Sequence, residues 1–151
     1  MPEKETIERA REDEREGKAP TTQAGEFVRE EIEHIREGKH GARSTRQAIA
    51  IGLSKARRAG VKLPPPTRDG ASNKTQRQAK RDLQKGRGRG RKATSRTRSR
   101  ATTKALRRET RSAASKKALS RQARSAARGR TRAQRSAAAK KAARTRAKRT
   151  G

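Results

Sequence analysis

From Arg87 to its last residue the chain carries 25 Lys or Arg and a single acid, Glu109. Such a stretch cannot contribute half of a hydrophobic core, whatever secondary structure it adopts. The rest of the chain can compensate only in part. Hydrophobic residues make up 26% of the 151, with one Phe and no Trp or Tyr, against roughly 45–50% apolar in ordinary globular domains. Ordering the backbone costs about 1–2 kcal/mol per residue, so a core this poor is expected to stabilise only a short folded part. The expected fold class is therefore mainly α: a small αα-hairpin, an N-terminal polar helix, and a long basic tail that is largely disordered or conditionally helical.

Charge and composition divide the chain into four parts. Residues 1–38 hold 7 Lys/Arg and 12 Asp/Glu, a net −5, whereas residues 87–151 are net +24. Residues 1–19 read as an acidic helix that is polar all round, solvated and fraying, with Pro2 at a first helical position and Gly17 at its end. Residues 20–64 are the expected folded unit. In "PTTQAGEFVREEIEHIREG" Thr22 reads as the N-cap, and Ala24, Phe27, Val28, Ile32 and Ile35 recur at spacings of three and four, closed by Gly38. In "STRQAIAIGLSKARRAG" Ser44 and Gln47 have capping-box spacing. Gly52 offers a close approach between backbones, and Gly60 suits a left-handed cap with Val61 packing back.

The hairpin core is read as Phe27, Val28, Ile32, Ile35, Ile49, Leu53 and Val61. It is thin for independent stability: either the N-terminal helix packs on as a third member, or the hairpin dimerises, or it firms up only with a partner, and a homodimer or a protein partner is favoured. Residues 65–86 follow the Pro64–Pro66 run as a linker with a short helix over 74–85. Residues 87–151 are the basic low-complexity tail, in which "RSAA" occurs at 111, 124 and 135 and "GRGRGR" over 86–91 forms a flexible start.

The tail points to a polyanion. DNA presents one charge per about 1.7 Å, so a +24 segment matches roughly 40 Å of duplex. With no zinc-finger spacing, zipper or aromatic stacking set, contacts are expected on phosphates and not on bases. The candidate phosphate contacts are Arg87, Arg89 and Arg91 near the Gly-Arg run. They continue with Arg107, Arg108, Arg111, Lys116, Lys117, Arg121, Arg124, Arg128, Arg130, Arg132, Arg135, Lys140, Lys141, Arg144 and Arg146. Duplex DNA is the favoured partner, with RNA or the ribosome as the alternative. A further alternative is an adaptor that docks a protein on the hairpin.

Other chemistries lack residues. No cysteine is present, so thiolate metal sites and cysteine nucleophiles are excluded. His34 and His40 could share a metal only with Glu37, and a helix His beside a loop His reads as solvated, so no metal site is expected. No nucleophile–base set and no "GK[ST]" loop is present, and no enzyme activity, cofactor or small-molecule substrate is expected. No signal-peptide pattern and no spanning apolar run is visible, which suggests a cytoplasmic protein without a membrane partner.

The stretch "AGEFVREEIEHIREGKHGARSTRQAIAIGLSKARRAGVKLPPP", with "RSAASKKALSRQARSAARGR", resembles a family of small basic proteobacterial proteins described as uncharacterised or as candidate DNA-binding proteins. The resemblance implies a bacterial, cytoplasmic protein and brings no established activity or site; it is the charge of the tail that leads to the expectation of a histone-like, nucleoid-associated protein. The tail is also similar to the Ala/Arg/Lys-rich C-terminal tails of bacterial linker-histone-like proteins, though it favours Arg over Lys and lacks Pro.

Overall fold

The computed structural model describes residues 1–67, 71–88 and 95–150, with side chains up to residue 148. Every regular element among them is helical. The order is α1 (Lys4–Arg15), α2 (Pro20–Arg36), α3 (Thr45–Ala59), α4 (Asn73–Arg87), α5 (Arg96–Arg107), a 3-10 turn (Ser112–Ala114), α6 (Lys116–Arg128) and α7 (Arg132–Thr150). Contacts divide the chain into two units, Met1–Ser115 and Lys116–Gly151.

The α2/α3 hairpin is the centre of the first unit. Pro20 opens α2 at its first helical position behind Ala19, three residues earlier than a Thr22 cap would place it. The pyrrolidine ring is preset for that position and its missing N–H is no loss there. Ser44 Oγ accepts from Gln47 N at 3.2 Å, and Gln47 Oε1 accepts from Arg43 N at 2.7 Å, so the α3 start is capped from both sides. At the other end Gly60, at φ 110°, turns the chain, and Val61 N donates to Ala56 O at 3.1 Å.

The two helices meet at Gly52. A Cβ there would lie 2.7 Å from Val28 Cα and 3.0 Å from Phe27 O, so only glycine allows this approach. Phe27, Ile32, Ile35 and Val61 are buried, whereas Val28, Ile49 and Leu53 are half-buried. Much of the remaining core is alanine: Ala24, Ala48 and Ala56 are fully covered.

The first helix is not a solvated, fraying one. α1 packs on α2, burying Thr6, Ala10 and Asp13, and Ala10 and Ile7 join the Phe27 cluster. Polar ties fasten it: Arg9 Nε donates to Glu26 Oε2 at 2.9 Å, and Glu3 N donates to Glu30 Oε2 at 3.0 Å. An all-polar helix surface can dock in this way because ion pairs replace the missing apolar stripe.

The helix expected over 74–85 is α4, and it packs on α3. Asp82 is buried, accepting from Ser54 Oγ at 2.6 Å and Gln78 Nε2 at 3.1 Å, with Arg58 Nε 3.5 Å away. Gly86 lies directly against the Arg57 carbonyl, with no room for a Cβ. The start of the Gly-Arg run is thus helix packed on helix, not a flexible hinge, because absence of a side chain here serves contact. Arg57 is buried too, donating to Leu63 O at 3.2 Å and Pro64 O at 3.1 Å. Burial lowers its pKa, and Asp82 partly opposes that shift. α1 and α4 pack on the hairpin from within the chain, so the first helix is a further member of the unit, one of the ways the sequence left open to complete the core.

Substituting Gly52→Ala is expected to destabilise the first unit by about 1–3 kcal/mol through overpacking. Gly25→Ala, in the same hairpin but with open space around it, should stabilise by up to about 1 kcal/mol. Urea denaturation followed by far-UV circular dichroism reads both.

Candidate nucleic-acid interface

The tail, expected to be largely disordered or helical only conditionally, is helical in four described segments, 96–107, 112–114, 116–128 and 132–150, which overturns the disordered reading. Ala, Arg and Lys are strong helix formers, and local caps add to them. Thr131 and Gln134 form a reciprocal box at the start of α7: Gln134 N donates to Thr131 Oγ1 at 3.2 Å, and Thr131 N to Gln134 Oε1 at 3.0 Å. These gains outweigh the few tenths of a kcal/mol that each like-charged i,i+4 pair costs.

The repeated "RSAA" phrase takes two different roles. The copies at 124–127 and 135–138 lie within α6 and α7. The copy at 111–114 docks on the hairpin, with Ala113 and Ala114 buried. Thr45 Oγ1 donates to Ala113 O at 2.7 Å and Arg36 Nε to Ala114 O at 3.0 Å. The α2–α3 loop joins in: Gly41 N donates to Leu106 O at 2.9 Å and Ala42 N to Thr110 O at 3.0 Å. Residues 95–115 therefore belong to the folded unit, and the tail proper starts at Lys116.

The candidate contacts at Arg89 and Arg91 lie outside the described residues. All the others are exposed, and their arrangement differs by helix. On α6, Lys117, Arg121, Arg124 and Arg128 share one face with Ser120 and Ser125. Leu119 and Ala123 lie on the opposite side of the turn. On α7, Arg132, Arg135, Lys140, Lys141, Arg144 and Arg146 are distributed around the whole helix. Arg107, Arg108 and Arg111 cluster where α5 passes into the docked turn.

Two cationic faces were missed in the sequence. On α4, Lys74, Arg77, Lys80 and Arg81 line the exposed side with Asn73 and Gln84, opposite the buried Ala79 and Asp82. On α5, Arg96, Arg100, Lys104 and Arg107 follow spacings of four, four and three, and all are exposed. The i,i+3/i,i+4 spacing of Lys and Arg was the available signal, hidden because cations surround it on every side.

Two of the acids of α2 turn inward, while Glu33 stays exposed. Glu30 and Glu31 are buried, and Lys55 Nζ lies 3.3 Å from Glu30 Oε1 and 2.7 Å from Glu31 Oε2. His34 and His40 converge on the same cluster with ring centroids 6.2 Å apart, and they meet Glu31 rather than Glu37. Hydrogen bonds from His34 and Lys39 hold the Glu3 carboxyl below its usual range. The charge of Glu30 and Glu31 is thus spent inside the fold.

Residues 17–67, which hold α2, the loop and α3, match a family of unknown function (DUF6496). No curated protein and no solved structure matches the chain. Among the described residues no helix is long and apolar enough to cross a membrane.

Replacing Lys55 with Met leaves two buried carboxylates without their cation and is expected to cost about 3–5 kcal/mol. Lys62→Met breaks only the exposed 3.5 Å pair with Glu14 and should cost about 0–1 kcal/mol. Chemical denaturation of the two variants side by side checks the contrast.

Proposed function

We propose that the chain is a histone-like, nucleoid-associated protein that binds duplex DNA through phosphate contacts, with no catalytic step. The observation that carries this reading is the cationic face of α6. Lys117, Arg121, Arg124 and Arg128 occupy one side of the helix with only Ser between them. At a rise of about 1.5 Å per residue, four charges fall within about 17 Å. One strand of a duplex offers a phosphate about every 3.4 Å along the axis, so a single strand supplies partners for the whole face.

The serine hydroxyls add donors, and no acid interrupts the row. The faces of α4 and α5 add cations on the first unit, which keeps only basic and neutral groups on those surfaces. The charge of residues 87–151, which carry 25 Lys or Arg against one acid, supports the same reading. So does the absence of any aromatic residue beyond Phe27, which is buried and removes base stacking as a mode of recognition.

The test is a salt series of fluorescence anisotropy titrations on the full chain and on the variant Lys117→Gln/Arg121→Gln/Arg124→Gln/Arg128→Gln. Each phosphate contact contributes about 0.9 to the slope of log K against log salt. The quadruple variant should therefore lose about 3–4 from the slope, equally on unrelated duplex sequences. An unchanged slope would remove α6 from the interface. A strong preference for structured RNA at equal salt would move the assignment to an RNA- or ribosome-associated protein.

A further inference from the structure

We infer that Glu31, His34 and His40 form a binding site for a divalent transition-metal ion, zinc being the best match, independently of the nucleic-acid reading. One ligand atom from each of the three residues lies within 4.8 Å of the other two. His40 Nε2 and Glu31 Oε1 are 3.4 Å apart. A tetrahedral ion with ligand distances of about 2.0–2.1 Å separates its donors by about 3.3–3.4 Å, so this pair already has the spacing of two zinc ligands.

Both rings are held with a lone pair left for a metal. His34 Nε2 donates to Glu3 Oε1 at 2.8 Å, which puts the lone pair of the neutral ring on Nδ1. His40 Nδ1 donates to the Gly41 carbonyl at 3.1 Å, which leaves Nε2 free on the side of Glu31. A carboxylate or backbone carbonyl on the outer nitrogen is the usual support of a metal-bound histidine.

Glu31 gives the independent signal. Its side chain is fully buried, yet Oε1 accepts no hydrogen bond, and an unsatisfied buried carboxylate oxygen is costly. Lys55 occupies the other oxygen, Oε2, at 2.7 Å. The interior balance also asks for a cation: Glu30 and Glu31 are both buried, and Lys55 supplies one positive charge between them. A divalent ion on Glu31, His34 and His40 would meet that charge. Three protein donors leave the fourth tetrahedral position for water.

The site would tie the α2–α3 loop to α2. That loop carries the backbone bonds from Gly41 to Leu106 and from Ala42 to Thr110, so the ion would also brace the docking of residues 106–114.

The experiment uses tag-free full-length protein, stripped with chelator and titrated with Co2+ and then Zn2+. Binding of one Co2+ per chain with the intense visible absorption of four-coordinate cobalt, displaced by Zn2+, is expected. His34→Gln and His40→Gln should each weaken binding by at least about 100-fold. Glu3→Gln, which takes the negative charge from the outer partner that His34 shares with Lys39, should weaken it by about 10–100-fold. The chain has only two histidines, so the wild-type ring NMR signals report the site even where a variant unfolds. Both rings should shift together on adding Zn2+. Ring signals that do not move, or a His34→Gln/His40→Gln variant with undiminished affinity, would overturn the assignment.

Discussion

The close approach of α2 and α3 at Gly52 is the contact on which the rest of residues 1–115 depends. With Val28 Cα only 2.7 Å from where a Cβ would stand, the two backbones come near enough for Ala24, Ala48 and Ala56 to act as core residues. Large side chains are not needed to fill a gap that is not there. The same solution recurs at Gly86 against Arg57 and at Ala113 and Ala114 under the hairpin loop. A chain with few large apolar groups gains dispersion contacts by bringing main chains together.

Polar groups complete the work that apolar area leaves undone. Lys55 joins two buried glutamates, Asp82 gathers Ser54 and Gln78, and Arg57 collects the carbonyls of Leu63 and Pro64. Each ties a different segment to α3 or α2. Such interactions are directional, so they specify which helix docks where, and breaking one partner leaves an uncompensated buried group. Glu30, Glu31 and Asp82 point inward, and the cations of α4 and α5 point out.

On the proposed reading, a polyanion would meet the exposed cations of α4 and α5 without Glu30, Glu31 and Asp82 beside them, since those acids are buried. α6 presents an ordered row of charge, α7 a cation on every side, and neither depends on a core. On the proposed reading the two modes differ: a one-sided row would fix a helix orientation on a phosphate strand, while an all-round distribution would tolerate any orientation.

The positions of α1 to α4 and most of their ends were legible in the sequence, because caps and periodicity are local, whereas α5, α6 and α7 were not. Ser44 with Gln47, Gly60 with Val61, and the stripe of Phe27, Ile32 and Ile35 act within one or two turns and need no distant partner. Gly52 was also readable as a close contact. The roles of Glu31, His40, Asp82 and Gly86 were not, since each depends on atoms many residues away. A glutamate in an acidic helix and a glycine in a Gly-Arg run have composition-level meanings, solvation and flexibility, that packing reversed. The "RSAA" copies show the division most directly: sequence determined that all three would favour helix and carry charge. Only tertiary structure decided that the first would be buried on Thr45 and Arg36, because only there does a neighbouring surface offer donors for its carbonyls.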